Sequence, residues 1–239
     1  NTEESLVSKD NFTPAMYGDL QAWLDASNAS FMWKDETAAA PSNGDQVYRW
    51  NDLSGKGHHA ETYDTSPVWK STDFNNKPTV NFTNDTLRLK NSGSTFKNWT
   101  KFTVATAWKM PGGNTWTTLF GRTNRNNTST EDTWHFMARR ADQNPPKYRF
   151  RVCGPNTSTA PEVHNAQIKS NNILVLSYDG NHLRLHLNGT SRIYQAFTDG
   201  LRSKDYPLSL GGEEDGGGGA TINFSEFIVF KDYLDNTNR

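Results

Sequence analysis

The sequence predicts an all-β protein, a sandwich of two antiparallel sheets. Short runs in which every second residue is apolar recur along the chain, and Gly, Asn, Asp and Pro separate them. This alternation is typical of strands that bury one face. The long period of an amphipathic helix is not found in any segment. With 239 residues the chain can bury a sizeable core, and we expect a single domain over residues 1–239.

The candidate strands follow one another in chain order. The first half contains LQAWLDA, QVYRWND, TVNF, LRLK and FTVATAWKM. The second half contains WTTLFGR, WHFMARR, YRFRV, ILVLSYD, LRLHLN, RIYQAF, PLSLGG and INFSEFIVF. Asp179-Gly180 and Asn188-Gly189 are turn signals that suit tight hairpins. They place ILVLSYD, LRLHLN and RIYQAF in one meander.

Composition and charge narrow the class of protein. Eight Trp, eight Tyr and thirteen Phe indicate a globular chain. The formal net charge is −1, yet residues 101–204 hold fourteen Lys or Arg against six Asp or Glu. This uneven distribution favours a charged binding face over general adhesion to nucleic acid. From this charge distribution we expect no nucleic-acid partner. Because no apolar run is long enough to span a bilayer, we also expect no membrane insertion.

Cysteine content and glycosylation sequons bear on location. The single cysteine, Cys153, cannot close an intrachain disulfide, and no spacing of Cys and His resembles a zinc site. Ten Asn-x-Ser/Thr sequons favour a secreted or cell-surface protein. The alternative is a polar bacterial β-protein that never glycosylates these sites. Since the sequence lacks an initiator Met, we expect a processed segment that is part of a larger protein or assembly.

Four segments carry a resemblance to a known family. LQAWLDA, WNDLSGKGHHA, SYDGNHLRLHLNG and EFIVFKDYL occur in this order. In this respect the chain resembles the laminin-G-like jelly roll of the concanavalin A-like lectin and glucanase superfamily, over nearly its whole length. The resemblance implies two facing antiparallel sheets. It says little about activity, because such domains bind glycans or proteins, cleave polysaccharides or act as spacers.

Three strands between Trp134 and Leu187 alternate apolar residues with basic ones, in TWHFMARR, KYRFRV and HLRLHLN. If these strands are neighbours, one sheet face carries many guanidinium and imidazole groups, which match carboxylate, sulfate or phosphate oxygens. We therefore expect a glycan or polysaccharide ligand with negative charge. The alternative is a solvated face on which Arg serves solubility. The candidate ligand-binding residues are His135, Arg139, Arg149, Arg151, His182, Arg184 and His186.

Aromatic side chains are the second element of sugar recognition, since sugar rings pack on their faces. Trp33 and Trp116 lie in the polar segments SFMWKDE and GNTWTTL, and we interpret them as candidate sugar platforms. The alternative is that each of them caps the edge of the core. Other tryptophans occupy positions that alternate with core residues and are predicted to be structural: Trp23, Trp50, Trp108 and Trp134.

A structural calcium ion is the only cofactor that the sequence suggests. Asp25, Asp52 and Asp215 lie in oxygen-rich segments, and Ca²⁺ accepts several such oxygens. The resemblance also implies a calcium ion, because similar jelly rolls often hold one. No EF-hand spacing exists, so solvated acids remain the alternative.

Catalytic signatures are weak in this sequence. No strand carries the alternating carboxylates of a retaining glycosidase, and Glu226 is interpreted as a buried acid satisfied by hydrogen bonds. A polysaccharide lyase acting on a uronate polymer needs cations and a Tyr or His near neutral pH. Tyr178 and the basic residues named above supply these types, but the lyase motifs are absent.

Taken together, these observations predict a non-catalytic extracellular carbohydrate-binding or adhesion module. The anionic ligand follows from the basic strands, and the general class follows from the family resemblance. Two alternatives stay open: a structural or protein-binding domain of a larger surface or viral assembly, and a uronate lyase.

Overall fold

A computed structural model describes residues 13–109, 116–123, 133–139, 147–163, 171–213 and 221–234. Within these ranges the side chains of residues 116–117, 137–139, 147 and 163 are not described. The described residues form eighteen β-strands, one short α-helix (α1, Ser92–Phe96) and two 3-10 helices at Pro14–Met16 and Ala29–Phe31. None of their helices is long and apolar enough to cross a membrane.

The strands are numbered in chain order. The first nine are β1 Leu20–Asp25, β2 Met32–Trp33, β3 Arg49–Trp50, β4 Ala60–Thr62, β5 Val68–Phe74, β6 Lys77–Thr83, β7 Leu87–Leu89, β8 Phe102–Lys109 and β9 Trp116–Arg122. The others are β10 Trp134–Arg139, β11 Lys147–Cys153, β12 Ser158–Thr159, β13 Glu162–Val163, β14 Asn172–Tyr178, β15 His182–Leu187, β16 Thr190–Ala196, β17 Ser209–Leu210 and β18 Thr221–Phe230.

These strands form two antiparallel sheets. The eight-stranded sheet has the order β16-β15-β14-β8-β18-β6-β5, and β1 also pairs with β18. The ten-stranded sheet has the order β12-β11-β10-β9-β17-β7-β4-β3-β2, and β13 also pairs with β11. The predicted all-β antiparallel sandwich is therefore confirmed.

One hydrophobic cluster, drawn from both sheets, fills the space between them. Trp134 and Phe150 of the ten-stranded sheet pack against Phe102 of the eight-stranded sheet, and the Phe102 and Trp134 rings stack at 4.6 Å. The apolar positions predicted to enter a core are all buried: Trp134, Phe136, Tyr148, Phe150, Val152, Leu183, Leu185 and Leu187. Because the two sheets face each other across this core, their outer faces point away from each other.

The predicted meander is also confirmed. Strands β14, β15 and β16 pair in sequence in the eight-stranded sheet. At the second turn both Asn188 (φ 52°) and Gly189 (φ 76°) have positive φ. This is what a tight two-residue hairpin requires, and Asn and Gly are the residues that adopt it with little cost.

Candidate functional site

The structure separates the basic strands that were predicted to share one surface. Strand β15, with His182, Arg184 and His186, lies between β14 and β16 in the eight-stranded sheet. Strands β10 and β11, with His135, Arg139, Arg149 and Arg151, lie in the ten-stranded sheet. The outer faces of the two sheets point in opposite directions, so the prediction of one shared basic surface is wrong. The physical reason is that the meander pairs with β8 and does not extend the sheet that holds β10.

Acidic side chains neutralise two of the predicted binding arginines. Arg149 lies opposite Glu162 in the register of β11 and β13, and its Nε donates to a Glu162 carboxylate oxygen at 3.0 Å. Arg184 donates to the Asp179 carboxylate. Hydrogen bonds from Arg184 and from backbone N–H groups lower the pKa of Asp179 even though partial burial opposes them. These two guanidinium groups already have anionic partners.

The remaining predicted residues differ in accessibility. His135 is only 2% exposed, and its register neighbour Arg151 is partly exposed. In the eight-stranded sheet, the His182 ring stacks on Tyr194 at 4.8 Å, and His186 is partly exposed on the same strand. Two further predicted residues, Arg139 and Trp116, oppose each other in the register of β10 and β9, and their side chains lie outside the described ones.

A different group of residues gathers on the outer face of the ten-stranded sheet. Trp33 pairs with Arg49, Arg49 with Glu61, and Glu61 with Arg88, in a row across β2, β3, β4 and β7. These residues alternate with buried ones such as Met32, Trp50, Ala60 and Leu89, so they point outward. Together with Tyr63 and Lys90, we call this group the cation–aromatic patch: Trp33, Arg49, Glu61, Tyr63, Arg88 and Lys90.

Stacking orders the arginines of the cation–aromatic patch. The Arg49 guanidinium carbon lies 4.1 Å from the centre of the Trp33 ring. The Arg88 guanidinium carbon lies 3.2 Å from the centre of the Tyr63 ring, and Tyr63 is 46% exposed. A guanidinium held on an aromatic face loses less conformational freedom when it binds a ligand, and its planar donors remain available.

One acid lies among these cations. Glu61 is 3.6 Å from Arg49 and 3.6 Å from Lys90. With Arg49, Arg88 and Lys90 positive and Glu61 negative, the patch carries a formal charge of +2. Burial, followed by the charge of Arg49, lowers the pKa of the neighbouring His59, so that at neutral pH this imidazole adds no positive charge.

Sequence reasoning identified only Trp33 of this patch. A short signal was present, because LRLK alternates apolar and basic residues like the three strands chosen, and in QVYRW one arginine lies between two aromatic residues. Strands β3, β4 and β7 contain only two or three residues each. Alternation over so few residues is hard to distinguish from chance.

The structure does not assemble the predicted calcium ligands. Asp52 is 7% exposed, and its carboxylate accepts hydrogen bonds from the backbone N–H groups of Trp23, Ser54 and His58 and from the Ser54 hydroxyl. Asp25 accepts hydrogen bonds from Ser27, and Asp215 lies outside the described residues. The described residues contain no group of three or more His, Cys, Asp or Glu that could hold a metal ion. Structural calcium therefore stays a prediction.

The groups considered for a lyase are also dispersed. Tyr178 is buried, and its hydroxyl donates to the carbonyl oxygens of Gly180 or Phe197. Burial raises the pKa of Tyr178. Tyr178 belongs to the eight-stranded sheet, whereas Arg149 and Arg151 belong to the other. The proton-transfer group and these cations therefore do not face one ligand.

Comparison with solved structures finds the same fold in several proteins. Domain 4 of a GH43 extracellular arabinanase from Geobacillus stearothermophilus, solved with arabinotriose, matches with a TM-score of 0.62 and 13% identity, over 93% of this chain and 97% of that one. An arabinofuranosidase complexed with arabinofuranosyl-alpha-1,2-xylobiose matches with a TM-score of 0.64 and 11% identity, over 95% and 61%. The receptor binding domain of botulinum neurotoxin mosaic serotype C/D matches with a TM-score of 0.59 and 11% identity, over 95% and 50%.

At these identities the likeness establishes the fold alone. It agrees with a jelly-roll sandwich and does not distinguish a laminin-G-like domain from other sandwiches of this kind. The chain spans half the length of the neurotoxin binding domain. No family model matches the sequence, and no curated protein matches it.

Proposed function

We propose that this protein is a non-catalytic, extracellular glycan-binding module, and that the cation–aromatic patch is its binding surface. The observation that carries the proposal is the pairing of Arg49 with Trp33 and of Arg88 with Tyr63 on one outer face. Aromatic faces offer packing surface to the C–H side of a sugar ring, and guanidinium donors offer hydrogen bonds to its oxygens.

The charge of the patch favours an acidic glycan. Arg88 has no carboxylate partner among the described residues, and the single acid of the patch, Glu61, contacts two other cations. A ligand carboxylate or sulfate would therefore meet an excess of positive charge. Such exposed contacts are screened over roughly 8 Å at physiological ionic strength, so the affinity should fall as salt concentration rises.

The comparisons support the general class without fixing the ligand. Two of the similar structures contain a bound oligosaccharide, and one belongs to an extracellular enzyme. The Asn-x-Ser/Thr sequons of this chain also favour an extracellular location. The anionic character of the ligand rests on the patch alone.

Calorimetric titration with three probes tests the proposal. Arabinotriose is the neutral probe, trigalacturonate carries carboxylates, and a heparin tetrasaccharide also carries sulfates. We expect the acidic probes to bind more tightly than arabinotriose, and we expect their affinity to fall as salt is raised. Failure of all three to bind would contradict the proposal and favour a structural or protein-binding domain. Unsaturated products from trigalacturonate would instead establish a lyase.

Matched variants locate the surface. We expect Arg49→Ala to weaken the binding of an acidic probe about tenfold, which corresponds to the loss of one charge-assisted contact. Arg184→Ala is the control, because Arg184 also contacts an acid and lies 5.1 Å from the centre of the Tyr194 ring, but on the opposite sheet. Equal effects of the two substitutions, or an effect of Arg184→Ala alone, would contradict the assignment to the ten-stranded sheet.

A further inference from the structure

Ser209 is a buried serine whose hydroxyl makes no hydrogen bond to the residues that the structure describes. It lies on β17 between the core residues Leu208 and Leu210, so its side chain points to the outer face of the ten-stranded sheet. The side chain has no exposed surface, and its Oγ has no hydrogen-bond partner among the described residues. Buried hydroxyls are usually partnered. Among the described residues three others share this state, those of Thr86, Thr133 and Tyr148. Ser209 differs from them because its direct cross-strand neighbour is an arginine.

Arg88 of the cation–aromatic patch is the direct cross-strand neighbour of Ser209. Directly opposed residues in an antiparallel pair hold their Cβ atoms about 5 Å apart. Within the described part of the chain, the buried Arg88 Nε also has no hydrogen-bond partner, while the guanidinium group of Arg88 lies on Tyr63. Two unused donors, one of them charged, therefore lie side by side on the same face.

Among the described residues, no carboxylate contacts either of these donors. The neighbour of Arg88 on its other side is Glu61, whose carboxylate contacts Arg49 and Lys90. The neighbour of Ser209 on its other side is Gly121, which has no side chain to accept a hydrogen bond. A Cβ at Gly121 would collide with His135, because the buried His135 residue packs over this glycine.

We propose that Arg88 and Ser209 form an oxyanion subsite that receives a carboxylate or sulfate oxygen of an acidic sugar. This inference rests on the proposed function and names the group of the ligand that the patch selects. The Arg88 Nε–H and the Ser209 hydroxyl both donate to the same oxyanion. Because Ser209 is fully covered in the ligand-free protein, binding requires the side chains above it to move far enough to admit one oxygen, while the Arg88 guanidinium stays on the Tyr63 ring.

Ser209→Ala distinguishes a binding role from a structural one. Removing a buried hydroxyl without a partner should leave the urea midpoint of unfolding unchanged or raise it. The same substitution should weaken trigalacturonate binding about fivefold, because one donor to the oxyanion is lost. Arabinotriose, which has no acid group, should bind equally to both proteins.

Ser92→Ala is the matched control. Ser92 is as buried as Ser209, but its hydroxyl donates to the Leu89 carbonyl and accepts from the Leu208 N–H, next to Ser209 in the chain. This substitution should lower the urea midpoint and leave trigalacturonate affinity unchanged. If Ser209→Ala instead behaves like Ser92→Ala, with lower stability and unchanged affinity, the subsite is overturned.

Inorganic sulfate separates failure of the subsite from failure of the proposed function. Sulfate titrated at constant ionic strength should shift the NMR signal of the Arg88 Nε–H, and it should do so more weakly in Ser209→Ala. If this result is obtained but no glycan binds, the subsite stands and the glycan-binding function fails. If glycans bind while the Arg88 signal and the Ser209→Ala affinity are unaffected, the function stands and the subsite is wrong. If neither sulfate nor glycan binds, both are wrong.

Discussion

At the scale of single residues, buried carboxylates in this protein organise the backbone around them. Asp52 shows this most clearly. Its carboxylate accepts hydrogen bonds from three backbone N–H groups and from one serine hydroxyl. It joins β1 at Trp23 to the segment that contains Ser54 and His58. The segment WNDLSGKGHHA, on which the family resemblance partly rests, is therefore held in place by this carboxylate.

Asp52→Ala should lower the free energy of unfolding by about 2 to 4 kcal/mol, because it leaves backbone donors without their charged acceptor. Urea denaturation measures this loss. The exposed acid Glu36 provides a control, since Glu36→Gln should change the free energy of unfolding very little. A loss for Asp52→Ala no larger than for the control would show that the four hydrogen bonds do not stabilise the fold.

Glu226 is a second acid at this scale. It was predicted to be a buried acid satisfied by hydrogen bonds, and the structure shows a partly buried side chain with a hydrogen bond to one carboxylate oxygen. Its carboxylate accepts a hydrogen bond from the Trp23 indole at 2.9 Å. Burial, and secondarily the negative charge of Asp25, raises the pKa of Glu226 above its usual value, while the indole opposes the shift. The stability that this group contributes is therefore present at low pH and is lost as the pH rises through its folded-state pKa.

Glu226→Gln should consequently raise the free energy of unfolding at pH 7, since the amide oxygen can still accept from the indole without a charge. The difference in the free energy of unfolding between Glu226→Gln and the parent protein should shrink as the pH is lowered towards 4. Denaturation at several pH values measures this difference. A variant less stable than the parent at pH 7 would mean that the ionised carboxylate is stabilising.

At the scale of elements, alternation along each strand is local and can be predicted, whereas the choice of sheet is not. The strands that flank β15 are its neighbours in the chain, joined to it by connections of three and two residues, so the meander could be predicted. Which sheet receives β10 and β11 depends on the pairing of β9 with β17, a strand of only two residues. Polar flanking residues are likewise no guide to exposure, because Trp69 and Trp99 lie in polar segments and are only 9% and 4% exposed.

Arg122 holds several elements together and was not singled out by the sequence. Its side chain is 1% exposed and donates to the carbonyls of Gly93, Phe96, Lys204 and Tyr206. It therefore joins the end of β9 to α1 and to the segment before β17. Burial lowers the pKa of Arg122 to about 10, so the group still carries its charge at neutral pH.

Arg122→Met should lower the free energy of unfolding by about 3 kcal/mol or more, because several buried carbonyls lose their donor. Arg122→Lys should recover only part of this loss, since an ammonium group lacks the planar fork that reaches separate acceptors. Guanidinium chloride denaturation of the three proteins gives the order. Full recovery by Lys would indicate that only the positive charge matters.

Asp199 connects the segment that follows β16 in the eight-stranded sheet to the loop between β11 and β12 in the ten-stranded sheet. It follows β16, and it accepts hydrogen bonds from Asn156 and Thr157, between β11 and β12. Hydrogen bonds from the Asn156 side chain and from the two backbone N–H groups lower the pKa of Asp199 to about 2. Its contribution to stability is therefore complete above about pH 4 and is lost as the pH falls towards 2.

Asp199→Asn should lower the free energy of unfolding at pH 7. The difference in this free energy between the variant and the parent protein should disappear between pH 4 and 2. Thermal unfolding followed across this range checks the prediction. Asp64→Asn, at an exposed acid in another loop, should show no such convergence. A constant difference at all pH values would mean that the charge of Asp199 does not contribute.

At the scale of the whole molecule, the sandwich presents two unlike outer faces. The ten-stranded sheet carries the cation–aromatic patch, whereas Leu20, Ile228 and Phe230 form a second hydrophobic cluster with partly buried Trp23 in the eight-stranded sheet. The overall architecture followed from composition and periodicity. The binding face could not be deduced from them, because it depends on long-range pairing of short strands.

NMR observation of two tryptophan indole signals tests the central claim most directly. Trp33 and Trp23 are both partly exposed, but they belong to opposite sheets. On titration with trigalacturonate, the account predicts that the Trp33 indole N–H signal shifts to saturation while the Trp23 signal stays in place. A shift of Trp23 with Trp33 unchanged, or no shift of either signal, would contradict the assignment of glycan binding to this face.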